Sequence, residues 1–126
     1  MADEDVWDSI DRLHDWLDAD RSREGPAHDD RAHDDQAHDN QDELLLRILK
    51  LSEEVGEVAR AVIGATGQNP RKGTTHTWDD VRAELCDVVI TGLVALRTLA
   101  PDAREVFTAH LAGVTDRSLG PDPGSG

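Results

Sequence analysis

Apolar residues recur at intervals of three and four in four stretches of this chain, a spacing that predicts four α-helices. The first stretch, "EDVWDSIDRLHDWLDA" at residues 4–19, repeats apolar side chains from Val6 to Leu17. A second helix is predicted from about Gln41 to Ala65, and a third from Trp78 to about Leu99. No stretch alternates apolar and polar residues as a half-buried strand does. The pattern therefore predicts an all-α domain, a bundle of about four helices.

The predicted helix ends rest on specific residues. Thr77 with Asp80 matches a capping pair, which places the start of the third helix at Trp78. Pro101 suits the first turn of a fourth helix. Apolar positions on the second and fourth helices are predicted to form the core; they are Leu44, Ile48, Leu51, Val55, Val58 and Val62, then Val106, Phe107, His110, Leu111 and Val114.

Residues 27–41, "AHDDRAHDDQAHDNQ", hold one pentapeptide in three copies, with no apolar residue larger than alanine. Such a segment has little apolar surface to offset the entropy of ordering. We therefore divide the chain into an N-terminal helix (1–20), a repeat-containing linker (21–41), a helical core (42–117) and a disordered tail (118–126). The histidines of the repeat leave open a second interpretation, weak binding of a transition metal; they are His28, His33 and His38.

The net charge of −14, from 27 acidic and 13 basic residues, narrows the range of partners. It argues against nucleic acid and anionic membrane surfaces, and it would repel a phosphate ester unless a metal ion reversed the local sign. No apolar run approaches the roughly 20 residues of a membrane span, and no signal segment is recognised. A single cysteine, Cys86, suits a reducing compartment and is predicted to be buried. We expect a cytoplasmic protein.

The stretch "KLSEEVGEVARAV" at 50–62 places Glu53, Glu54 and Glu57 within one arc of about 100° on the second helix. The residues around this arc are mostly small or apolar, which is typical of a helix packed on more than one side. Partly buried acids without a counter-ion are costly. A bound cation would explain them, whereas a solvated face is the plainer alternative.

The third helix repeats the pattern, because Glu84 and Asp87 share a face and no further charge follows until Arg97. Two antiparallel helices would bring five carboxylates together. Carboxylate oxygens in that number suit Mg²⁺ or Mn²⁺ better than zinc. A di-iron bundle would need Glu-x-x-His on two helices. None of these acids has a histidine three residues later, so iron is disfavoured.

Basic residues near the predicted acidic site have two interpretations. Arg71 and Lys72, in the loop "NPRKGTTHT", are either phosphate ligands or ordinary solvated residues. Lys50 either contacts phosphate or forms a helix salt bridge to Glu54. His76 is more typical of a polar loop residue than of a catalyst.

"EEVGE" at 53–57 followed by "ELCD" at 84–87 resembles the E-E-x-x-E and E-x-x-D signature of the MazG-like all-α nucleoside triphosphate pyrophosphohydrolases. The resemblance covers roughly residues 42–99. It implies a helical bundle completed by dimerisation, as a homodimer or homotetramer. It also implies Mg²⁺-dependent cleavage of a nucleotide between its α- and β-phosphates, giving a monophosphate and pyrophosphate.

Carried over by position, the resemblance implies that Glu53, Glu57, Glu84 and Asp87 hold Mg²⁺, with Mn²⁺ as a substitute, and that Glu54 activates the attacking water. Removal of non-standard or deoxy nucleotides and a phosphoribosyl-ATP-type reaction both remain open. The repeat lies where a shorter connection is expected, and nothing marks a base pocket, although Trp7 or Trp16 would be able to stack on a base. The alternative of another class is a non-catalytic module that binds nucleotide, metal or another protein.

Overall fold

The structure, a computed structural model, describes residues 4–24 and 32–120. These residues form four helices and no strand, which confirms the all-α class. The helices are α1 (Val6–Glu24), α2 (Ala32–Thr66), α3 (Trp78–Leu99) and α4 (Ala103–Leu119). The end of the predicted tail, from residue 121 onward, lies outside the described residues.

The start of α3 was predicted correctly because it depends on local chemistry. Thr77 Oγ1 accepts a hydrogen bond from the Asp80 amide at 3.2 Å, and Asp80 Oδ2 accepts one from the Thr77 amide at 2.9 Å. This reciprocal pair satisfies two amides that an α-helix leaves unpaired at its start. At the other end, Ala100 adopts an extended conformation before Pro101. Helix α4 begins at Ala103, so Pro101 precedes it and does not occupy its first turn.

The start of α2 differs from the prediction, because the helix begins at Ala32, inside the repeat, and not near Gln41. Once a helix exists, each further residue adds a hydrogen bond without a new nucleation cost, so extension does not require burial. The segment predicted as a linker thus contains the end of α1 and the first turns of α2. The side chains of the repeat's histidines lie outside the described part of the structure, so their metal-binding interpretation stays a prediction.

Helix α3 is central, since it packs against each of the other three helices. Among the described residues, few apolar side chains are buried between the helices, and most of them are small. They are Ile10, Ala61, Val81, Val94, Ala95 and Ala103. Within the described ranges, no helix combines the length and apolar content that crossing a membrane requires.

Much of the predicted core is exposed, so that prediction was wrong for two residues of α2 and for α4. Ile48 and Val55 of α2 are exposed, and so is Cys86 of α3. An apolar stripe shows which side of a helix favours burial, but it does not say that the same chain covers that side. All five predicted core positions of α4 are exposed: Val106, Phe107, His110, Leu111 and Val114.

Candidate metal centre

Three carboxylates converge where α2 faces α3. Glu54 of α2 and Glu84 and Asp87 of α3 each place one oxygen so that the three oxygens lie within 4.8 Å of one another. Because Mg²⁺ and Ca²⁺ hold oxygen ligands at about 2.0–2.6 Å, two ligands of one ion lie at most about 5 Å apart. The three residues, here called the carboxylate triad, therefore fit a single hard divalent cation.

The electrostatics of the triad favour a bound positive charge. Burial raises the pKa of Glu84, and the negative charges of Asp87, Glu57, Glu54 and Asp80 raise that pKa further. Glu84 therefore binds a proton more readily than an ordinary carboxyl does. A divalent cation relieves the same repulsion without protonation.

The two other acids of "EEVGE" lie outside the triad. Glu53 is exposed and its carboxylate lies 3.6 Å from Lys50 Nζ, whereas the Glu57 carboxylate lies 3.4 Å from Arg60 Nη1. Lys50 Nζ also lies 3.6 Å from Glu54 Oε1. The structure thus contains the helix salt bridge to Glu54, and a phosphate contact by Lys50 stays a prediction. The resemblance assigns Glu54 to activating the attacking water and Glu53 to holding the metal. In the structure, the Glu54 carboxylate meets the acids of α3, whereas the Glu53 carboxylate lies outside that group.

The predicted phosphate-binding pair sits on a tightly hydrogen-bonded turn. The amides of Lys72 and Gly73 donate to the Asn69 carbonyl at 3.1 and 2.9 Å, and the Arg71 amide donates to Asn69 Oδ1 at 3.1 Å. Glycine at 67 and at 73 supplies the positive φ of 65° that other residues rarely adopt. Arg71 and Lys72 are exposed, and neither forms an ion pair with any residue that the structure describes.

The aromatic candidates for base stacking occupy different environments. The Trp7 ring packs against Phe107 of α4, with ring centroids 5.9 Å apart, and so joins α1 to α4. Trp16 is largely exposed on α1. Base stacking by either residue stays a prediction.

A second polar cluster, missed from the sequence, joins three helices at Arg47. Its guanidinium is buried and donates to Asp18 of α1 at 2.7 Å, to Glu43 at 3.2 Å and to Thr98 of α3 at 2.9 Å. These groups line a cleft of about 480 Å³ beside His14. The sequence feature that could have indicated this cluster is the single arginine within the apolar stretch "ELLLRILKL". It lies about 20° from Glu54 around the α2 axis. Each nitrogen of the Arg47 guanidinium donates to a partner on α1, α2 or α3. We therefore interpret this cluster as a structural junction between the helices and not as a binding site.

No family model, curated protein or solved structure matches this chain. The resemblance to the MazG-like enzymes therefore rests on the residue pattern alone.

Proposed function

We propose that this chain is a Mg²⁺-dependent nucleotide pyrophosphohydrolase that cleaves a nucleoside triphosphate between its α- and β-phosphates. The observation that supports it best is the convergence of Glu54, Glu84 and Asp87 from the two motifs of the resemblance. Arg71 and Lys72, which form no ion pair with the described residues, lie on the connection between the same two helices and add a means of holding phosphate oxygens.

The proposed roles follow the geometry. The carboxylate triad holds the ion, Mg²⁺ or Mn²⁺, which when bound neutralises the acids and polarises a phosphoryl oxygen. Glu57 lies outside the triad but near enough to raise the pKa of Glu84. We assign it the role of the base that accepts a proton from the attacking water. Arg71 and Lys72 bind the phosphates that become pyrophosphate. House-cleaning of non-standard or deoxy nucleotides is the proposed role, in the cytoplasm.

The proposal includes a second copy of the chain, as a homodimer or a dimer of dimers. Helices α2 and α3 both expose aliphatic side chains, here called the outer apolar face, and a second copy of the chain would cover them. Exposed apolar side chains that cluster on a protein surface typically mark an interface. The residues of this outer apolar face are Leu45, Ile48, Leu49, Val55 and Ile63 of α2 with Leu85, Val89 and Ile90 of α3.

The first test is pyrophosphate release from a panel of ribo- and deoxynucleoside triphosphates, in Mg²⁺ and in EDTA. We expect metal-dependent release by the native chain and by Asp116→Asn, a control on α4 away from the triad. Asp87→Asn should lose activity by at least about 100-fold, because electrostatic contributions of this kind are worth about 10²–10³-fold.

Release of orthophosphate, or equal activity of Asp87→Asn and the native chain, would contradict the proposal. Mg²⁺ binding without any turnover would instead favour the alternative, a non-catalytic module that binds metal or nucleotide.

A further inference from the structure

The loop after α2 folds back onto the helix at Gly64. Gly64 follows Glu57 by seven residues, so it lies on the same side of α2, about 10 Å farther along the axis. There the Thr75 amide donates to the Gly64 carbonyl at 3.0 Å, and the half-buried His76 ring covers the glycine. The loop is therefore fixed to the acidic side of α2.

This contact leaves no space for a side chain at position 64. A Cβ added to Gly64 would lie 2.5 Å from Thr75 Oγ1 and 2.8 Å from His76 Cγ, and closer still to His76 Nδ1. Thr75 Oγ1 and His76 Nδ1 are themselves hydrogen-bonded at 2.9 Å, so the two groups would have to move together. Gly64 is buried, whereas the helix glycine Gly113 of α4 has open space where a Cβ would be.

The anchored loop contains the Arg71–Lys72 turn. A second close contact, between Gly67 and Thr74 Oγ1, joins the two ends of the loop next to the Gly64 anchor, since a Cβ at Gly67 would lie 3.1 Å from that oxygen. The turn between these ends is closed by the hydrogen bonds to Asn69. The positions of Arg71 and Lys72 thus depend on how the loop packs against Gly64.

We propose that Gly64 and His76 are positioning residues, which hold the Arg71–Lys72 turn where it binds the phosphates of the substrate that lie beyond the metal-bound one. This inference rests on the proposed function. A fixed turn binds a polyphosphate without first ordering two long cationic side chains on a mobile loop, and affinity improves when that cost has already been met. Displacing the loop weakens phosphate binding and leaves the carboxylate triad intact.

The test compares Gly64→Ala and His76→Ala with Gly113→Ala, a matched glycine-to-alanine control in a helix. Calorimetry measures the affinity for inorganic tripolyphosphate in Mg²⁺, and for Mg²⁺ alone. We expect Gly64→Ala to bind tripolyphosphate about tenfold more weakly, as for the loss of one charge-assisted hydrogen bond. Its Mg²⁺ affinity should equal that of the native chain, and its KM for nucleotide should rise more than its kcat falls.

A double variant separates the packing contact from a general loss of folding. If the His76 ring is what a Cβ at position 64 displaces, Gly64→Ala should cost less tripolyphosphate affinity in the His76→Ala background than in the native chain. Circular dichroism melts show whether Gly64→Ala has folded. If it has not, the tripolyphosphate affinity of His76→Ala tests the positioning role.

Two negative results have different meanings. Equal tripolyphosphate affinity and equal KM for Gly64→Ala, His76→Ala and Gly113→Ala would overturn the positioning role while the native chain still released pyrophosphate. A native chain that neither binds Mg²⁺ nor releases pyrophosphate would overturn the proposed function, and this inference with it.

Discussion

Glu84 is the residue at which the acidic site most directly affects stability. Its pKa is raised in the folded chain, first by burial and then by neighbouring acids, so the folded state binds this proton more tightly than the unfolded state. Ionised Glu84 therefore destabilises the fold. The penalty is absent at pH values below the ordinary carboxyl pKa, grows as the pH rises through the folded pKa, and is complete above it.

We predict that Glu84→Gln raises the melting temperature of the metal-free protein at about pH 7, because the amide removes this penalty. The difference from the native chain should disappear in acid, where both carry a neutral side chain. Asp116→Asn, remote from the triad, should show no increase. Mg²⁺ should stabilise the native chain by mass action but leave Glu84→Gln almost unchanged. A lower melting temperature for metal-free Glu84→Gln would contradict the raised pKa.

At this scale, the sequence predicted which acids share a side of a helix but not which oxygens meet. Glu53 and Glu54 are adjacent, and both fall within the acidic arc of α2. The direction from which α3 packs separates them, so that Glu54 faces Glu84 while Glu53 faces solvent and Lys50. That direction depends on the packing of whole helices, which residue spacing within one helix cannot supply.

At the scale of helices, Arg47 replaces part of the apolar core. The described parts of α1, α2 and α3 bury few large apolar side chains between them, and a buried guanidinium joins these helices through Asp18, Glu43 and Thr98. A buried cation is tolerated only while it stays paired, and removing one partner leaves the desolvation cost uncompensated. Arg47 therefore contributes to how α2 packs against α1 and α3.

We predict that Asp18→Ala lowers the free energy of unfolding by about 2 kcal/mol, since Arg47 stays buried and loses its shortest hydrogen bond. Among the described residues, the more exposed Asp15 side chain pairs with the adjacent His14 alone, so Asp15→Ala should cost no more than about 0.5 kcal/mol. Urea denaturation followed by circular dichroism measures both. Equal, small effects would mean that Arg47 finds water or another partner when Asp18 is removed.

The helix boundaries show where sequence reasoning succeeds. The start of α3 was predicted to the residue, because Thr77 and Asp80 form the cap within one turn. The start of α2 was not, because no residue near Gln41 stops the helix from extending back through the repeat. A stop signal fixes a boundary, whereas a change in polarity alone does not.

At the scale of the whole molecule, the chain combines a net charge of −14 with exposed aliphatic faces. The charge disfavours association, whereas the exposed apolar side chains of α2 and α3 favour it. In the proposed dimer, a two-fold axis would bring the exposed apolar side chains of one copy against those of the other.

We predict that the native chain is a homodimer or homotetramer, with a light-scattering mass two or four times 13.8 kDa. Val89→Asp should dissociate it or weaken association by at least about 100-fold, because a carboxylate on the outer apolar face of α3 would be buried unpaired. Leu119→Asp, at the exposed end of α4, is the matched control and should leave the mass unchanged. A monomeric native chain would refute the dimer. An oligomer that persists in Val89→Asp would place the interface on another surface, and the outer apolar face would then need a different partner.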